Sequence, residues 1–228
     1  MRRMFAATAL GVWGMVALAP AAPVAAQPKE LPAKVVTLSG QAETYKKGAP
    51  KWEAAKLRAE LAPGDGARTL AGGRLVLMTT SGQSMRLAQL TQVFFKEGEP
   101  GAGEPTRVRL DGGWLWVAIA PGATGSARIE VDTGPAVVSV RGSGVGIRIS
   151  RDGSVLVRVY HGTATCAGAG GQPAWERPLT EDQELTISPA GAPGEARRLS
   201  REKADADWVR WNEEQDHAGP YGGKPPKK

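Results

Sequence analysis

Most of this chain reads as short runs in which apolar residues recur at every second position, broken by Gly, Pro and Asp. That period sets one side of each run against a core and belongs to β-strands. The runs also carry register. Between Arg74 and Leu87, Leu75 and Leu77 are followed by Thr80-Ser81-Gly82 and then by Met85 and Leu87. A three-residue loop ending at Gly82 brings Leu77 to Met85 and Leu75 to Leu87. Gly suits the last loop position, where a type I turn with a G1 bulge needs φ > 0. Val145 to Val159 repeats the device about Arg151-Asp152-Gly153, pairing Ile149 with Val155, Ile147 with Val157 and Val145 with Val159. A two-residue Asp-Gly turn would slip this register and set Arg148 opposite Val157, so the longer loop is expected.

A third hairpin is predicted at Gly112-Gly113, with Leu110 facing Leu115 and Val108 facing Val117. Ala127 to Val131 and Ala136 to Val140 flank Thr133-Gly134-Pro135, and Pro63-Gly64-Asp65-Gly66 marks an earlier turn. Strands at this spacing predict an all-β body over 34–187, either short-stranded and β-solenoid-like or sandwich-like. The Gly/Pro-rich stretch 188–199 reads as a linker. One helix is expected over 200–218, with Ser200 as N-cap, Ala204, Trp208 and Trp211 on one face, and Gly219-Pro220 as its stop. A lone helix needs a surface, so this face is expected to dock on the β core. The alternative is a partner-binding stripe, which makes Trp208 and Trp211 candidate contacts.

Composition bounds the rest. The chain has 228 residues, 41% of them hydrophobic, enough for one core, and its 30 Gly and 17 Pro suit many turns. Arg2 and Arg3, the apolar run Met4 to Ala19, and Val24-Ala25-Ala26 before Gln27 form a Sec-type signal peptide over 1–26. The apolar run is shorter than the roughly 20 residues a membrane span needs. A soluble mature protein in the periplasm or secreted, with no membrane span after cleavage, is therefore expected. Net charge is +6, but Arg2, Arg3 and the tail lysines Lys224, Lys227 and Lys228 account for most of it. The body is near balance, so nucleic acid is not an expected partner. The basic tail, 219–228, suits an anionic envelope polymer or lipid. Cys166 is the single cysteine, which excludes an intramolecular disulfide. Its place on an alternating strand favours a small buried core residue over a cross-link between chains.

Chemistry is sparse. His161 and His217 form no H-x-x-x-H pair and no Cys cluster exists, so no metal site is assigned. Gly142-Ser143-Gly144-Val145-Gly146 is neither a nucleophile elbow nor a nucleotide fingerprint, and reads as a small-residue strand that allows close packing. Glu97 with Glu99, and Glu181 with Asp182, read as solvated loop charge. No catalytic residue and no cofactor is assigned, and an enzyme is not expected. Trp114 and Trp116 lie two apart and share one strand face. Two readings stand. The face is core, as stacked strands that bury both sides would have it, or it is an open platform that stacks sugars or peptides.

The stretch Val35 to Cys166, somewhat over half the chain, resembles the FecR domain family. The likeness rests on a combination of residues: Trp52; Leu61-Ala62-Pro63-Gly64-Asp65 with Ala67-Arg68-Thr69; Gly73 to Leu77 and the Gly82 hairpin; Leu87, Thr91 and Val93; Gly113, Leu115 and Trp116; Arg141-Gly142-Ser143; and Val157 to Val159 with Gly162 and Ala164. Asp65, Arg68 and Arg141 either form an internal charge-assisted network or stand on the surface. Gly142 is expected to let two backbones approach. The resemblance implies a non-enzymatic interaction or signalling module in the envelope with a protein partner. The full family architecture adds a cytoplasmic anti-sigma segment, one membrane span and a further C-terminal domain. This sequence departs from that plan, so a stand-alone periplasmic relative is expected and the iron-sensing role is not carried over. A binder of peptidoglycan or another envelope glycan, using the Trp114/Trp116 face and the basic tail, is the second functional reading.

Overall fold

The computed structural model describes residues 33–97, 105–119, 128–142, 144–169, 175–201 and 203–217. The expected signal peptide, the basic tail, Ser143 and the Gly219-Pro220 stop lie outside them. In chain order the strands are β1 (Ala33–Ser39), β2 (Ala42–Tyr45), β3 (Glu53–Ala54), β4 (Glu60–Leu61), β5 (Gly66–Thr69), β6 (Arg74–Met78), β7 (Gln83–Leu87), β8 (Gln92–Phe95) and β9 (Thr106–Ile119). They continue with β10 (Ile129–Asp132), β11 (Ala136–Arg141), β12 (Val145–Ile149), β13 (Val155–Val159), β14 (Thr163–Gly168), β15 (Glu176–Thr180), β16 (Gln183–Ile187) and β17 (Arg197–Arg198). A 3-10 turn, Lys203–Asp205, leads into the helix α1 (Ala206–His217). The all-β class with one C-terminal helix is as the pattern predicts, and the sheet does not close into a barrel.

The strands form two layers. The first runs β4-β1-β6-β7-β9-β12-β13-β16-β17, antiparallel throughout. The second runs β3-β2-β5-β8-β9-β10-β11-β14-β15, antiparallel except where β9 and β10 run parallel. Between them lies one apolar core. Leu75, Leu77, Met85, Leu87, Leu115, Ile147 and Val157 enter it from the first layer, and Val93, Phe95, Val108, Leu110, Ile129, Val138 and Cys166 from the second. This is a sandwich.

Both G1-bulge hairpins form as the residue pattern demands. Leu77 pairs with Met85 and Leu75 with Leu87. Ile149 pairs with Val155, Ile147 with Val157 and Val145 with Val159. Gly82 and Gly153 take φ of 81° and 84° at the last loop positions. Gly142 does admit a close backbone, since a Cβ there would stand 3.1 Å from the Gly162 Cα.

The Gly112-Gly113 hairpin does not form. β9 runs straight through both glycines and belongs to both layers. Its first part pairs Leu110 with Val93. Its second part pairs Leu115 with Leu87 and with Ile147. The register shifts by one residue at Asp111, and Gly113 takes φ 88°. A bulge followed by a left-handed residue bends the strand from one layer into the other without reversing it. Alternation alone reads the same on either side of a reversal or a corner, because both put Leu110 and Leu115 into the core.

The expected linker 188–199 is part of the body. β17 pairs with β16, Ile187 bridges to Pro193, and Leu199 N donates to Asp182 O at 2.8 Å. The helix starts later than expected, because Ser200 is tied to the sheet: its N–H donates to Glu184 Oε2 at 3.2 Å.

Two outcomes are expected. A Cβ on Gly113 would come within 2.5 Å of the Leu90 carbonyl oxygen, whereas one on Gly112 meets nothing within 4 Å. Gly113→Ala should therefore cost on the order of 2–4 kcal/mol in urea unfolding, and Gly112→Ala less than about 1 kcal/mol. Equal costs would show that the corner at Gly113 is not constrained. Cys166 is fully buried, and burial pushes its thiol up to about 12. It should stay unmodified by a thiol reagent at neutral pH until denaturant is added; rapid labelling of the native protein would contradict this placement.

Candidate functional site

The side of the first layer that faces away from the core is not a solvated face. Strand pairing places Val76, Arg86, Trp116, Gly146, Arg158, Glu184 and Arg197 in one row across β6, β7, β9, β12, β13, β16 and β17. α1 lies over this row. Trp208, Asn212 and Asp216 recur every fourth residue, which puts them on one helix face. Arg86 Nη1 reaches Asp216 Oδ1 at 2.6 Å and donates to Asn212 O at 3.1 Å. Trp116 Nε1 donates to the other Asp216 oxygen at 3.1 Å. Arg158 bonds Glu184 and Asp205, each at 2.9 Å, and Arg197 bonds Glu184 at 2.8 Å.

Aromatic packing completes this second core. Trp116 stacks on Tyr160 with centroids 4.7 Å apart, Trp114 tilts against Trp208 at 6.0 Å, and Trp208 stacks on Trp211 at 5.3 Å. Gly146 leaves the room for this, since a Cβ there would stand 3.1 Å from the Trp114 ring and 3.4 Å from Tyr160. Trp116 is 0% exposed and Trp114 9%. The two faces of the strand that carries them are thus both buried, and the helix is what covers the second.

Burial sets the electrostatics. It pushes the Asp216 carboxyl above its ordinary value, more than Arg86 and Trp116 pull it down. Burial alone would also raise Glu184, but the Ser200 N–H, Arg158 and Arg197 outweigh it and hold that carboxylate below its ordinary range. Glu184 is therefore a fixed anion that clamps β13, β17 and the segment before the helix.

Asp65, Arg68 and Arg141 are not joined in one network. Asp65 is buried and accepts from Ala62 N at 2.8 Å, Lys46 Nζ at 2.7 Å and Lys47 N at 2.9 Å. Burial would raise this carboxyl, but those bonds outweigh it and hold it low. Arg68 pairs with Glu43 at 2.6 Å and lies 4.4 Å over the Trp52 ring. Arg141 is exposed at the end of β11. Trp52, Tyr45 and Phe94 form a half-buried triad around Gly66, with centroids 5.5–6.1 Å apart.

Beside the helix the first layer leaves a cleft of about 780 Å³. Trp114 and Trp208 form its apolar wall, and Arg74, Arg148, Arg151 and Asp205 its polar lining. Arg148 lies 5.6 Å over Trp114 and 3.4 Å from Asp205; Arg74 lies 5.4 Å over Trp211. Leu90, 64% exposed, stands at the lip with φ 56°. Thr69 and Thr91 hold that corner. Thr91 N donates to Thr69 Oγ1 at 3.0 Å, Thr69 N to Thr91 O at 2.9 Å, and Trp114 N to Thr91 Oγ1 at 2.9 Å.

Sequence reading named Trp114, Trp116, Trp208 and Trp211, and the structure brings all four together. It missed Arg74, Arg86, Arg148, Arg158 and Leu90. The hairpin registers already put Arg86 and Arg158 on the side opposite the core, but only the strand order shows that they share a row with Trp116.

The match to known families falls on this region. Residues 65–165 match the family model described as FecR protein. The span begins at the buried Asp65, includes Arg68, Thr69, Leu90, Thr91, Trp114 and Trp116, and ends beside Cys166.

The FecR likeness is confined to residues 65–165.

No curated protein matches the chain. Two solved structures, both described as "a putative anti-sigma factor from Parabacteroides distasonis ATCC 8503", resemble it at 13% identity. One has a TM-score of 0.47 and covers 62% of this chain and 62% of its own; the other has 0.48, with 68% and 74%. At those values nothing of their function is carried over. The matched span ends within β14, so the segment from β16 to α1, which completes the second core and one wall of the cleft, lies outside it.

The buried pair between the matched span and the helix is open to test. Asp216→Ala strands the Arg86 guanidinium in a dry interface and should cost about 3–5 kcal/mol in urea unfolding. Arg86→Met combined with Asp216→Leu should recover most of that loss. A single-variant cost under about 1 kcal/mol would mean that the helix does not seal this face.

Proposed function

We propose that this protein is a non-enzymatic, FecR-domain accessory of a signalling system in the cell envelope, acting in the periplasm by binding a protein partner. The observation that carries the reading is the FecR match over 65–165, on a body whose buried carboxylates are held in structural ion pairs. A general acid or base needs a carboxyl with a free proton-transfer path. Asp205 and Asp216 are clamped by strand arginines at the helical segment, and Glu184 by Arg158 and Arg197 between strands. Among the described residues no three His, Cys, Asp or Glu come together to hold a metal, and no helix is long and apolar enough to cross a membrane. The leader Met1 to Ala26 supports export.

The envelope-glycan reading needs Trp114 and Trp116 open together as one platform, and packing under α1 leaves Trp116 0% and Trp114 9% exposed. The cleft, with its aromatic wall and exposed Leu90, is the recognition surface that remains on this side of the body.

Site-specific photo-cross-linking in the native envelope tests the proposal. A benzophenone amino acid at position 90 should give one discrete light-dependent protein adduct, and the same group at Thr165, on the outer side of the second layer, should not. The mature protein should begin at Gln27 and leave the cells on osmotic shock. A cytoplasmic, unprocessed chain, or no adduct from either position, would rule the proposal out.

A further inference from the structure

We propose that the cleft between the first layer and α1 seats an acidic segment of the partner protein, with two carboxylates flanking an apolar side chain that packs beside Leu90. This rests on the accessory reading above and names what its partner must present. Charge is the first argument. Arg74, Arg148 and Arg151 converge on one cleft whose lining holds a single carboxylate, Asp205. Arg158 already takes Asp205 at 2.9 Å, and Arg148 stands off at 3.4 Å. Among the described residues no carboxylate pairs with Arg74 or Arg151. Three guanidinium groups in a lining that holds one carboxylate make a site that attracts carboxylate and repels cation. Arg74 and Arg148 each lie over a Trp ring, contacts that hold the guanidinium in the cleft and do not use up its N–H donors.

Leu90 is the second argument. A branched apolar side chain at φ 56° and 64% exposed is unfavourable on both counts. The corner is nevertheless held by the Thr69, Thr91 and Trp114 bonds, and Gly113 leaves out a side chain to let it pass. The structure thus fixes an exposed apolar residue at the mouth of a cationic cleft. A free small dianion would use the arginines and leave Leu90 idle; a peptide with an apolar residue between acids uses both. The volume suits a short segment entering side chain by side chain.

The test uses the full mature protein, isotope-labelled, titrated with an acetylated and amidated pentapeptide of four glutamates about a central leucine. Its glutamine counterpart and succinate are the comparison probes. The acidic peptide should shift the Leu90 methyls and the Arg74, Arg148 and Trp208 side-chain N–H signals saturably, and the glutamine peptide should not. Arg151→Glu, in an exposed hairpin loop, should weaken binding about tenfold with the remaining spectrum unchanged. Leu90→Ser should weaken the peptide and not succinate. Shifts that never saturate, or that map to the outer side of the second layer and ignore Arg151→Glu, would overturn the proposal. So would succinate binding as tightly as the peptide. A silent acidic peptide alongside a position-90 protein adduct would overturn the acidic segment while sparing the accessory role. A bound peptide with no adduct in the envelope would do the reverse.

Discussion

One strand serves two sheets, and that constraint organises the molecule. β9 can cross from the second layer to the first because Asp111 bulges out of register and Gly113 adopts a left-handed conformation. The absent Gly113 side chain is occupied space: the Leu90 carbonyl and Thr91 pass there. The corner therefore fixes three things together. It sets Leu110 and Leu115 into one core from opposite layers, turns Trp114 and Trp116 outward under the helix, and holds Leu90 at the cleft mouth.

The second core differs in kind from the first. Between the layers the packing is apolar. Under the helix, tryptophans and a tyrosine share the space with Arg86, Arg158, Glu184, Asp205 and Asp216. Buried pairs of this sort add little net stability compared with apolar residues of the same volume, but each is costly to break singly. They make the docking position of the helix specific, because a shift along its axis would part Asp216 from both Arg86 and Trp116. The cleft inherits that definition, since one of its walls is the helix residue Trp208.

Much of this was legible in the residues. Hairpin registers followed from Leu75, Leu77, Met85 and Leu87, and from Val145 to Val159, because a one-residue slip would turn every apolar side chain outward. The tryptophan face of the helix was readable from its spacing. The corner at Gly112-Gly113 was not, since bend and reversal share one apolar pattern. The row of Arg86, Trp116, Arg158 and Glu184 was not either, because strand order comes from long-range pairing that local patterns do not encode. The separate partners of Asp65 and Arg68, Lys46 and Glu43, depend on the β2 pairing for the same reason.

Arg86 and Asp216 stand 130 residues apart in the chain. A ribosome or a translocation pore delivers the first long before the second. The strands that bring Trp116, Arg158 and Glu184 to this face emerge in that interval, all of them ahead of the helix that covers it. An apolar face left waiting in this way would recruit other chains. A face that carries two arginines and a glutamate beside its tryptophans stays wetted until its own C-terminus arrives. The charges that look wasteful in the finished protein are what keep the unfinished one apart from its neighbours.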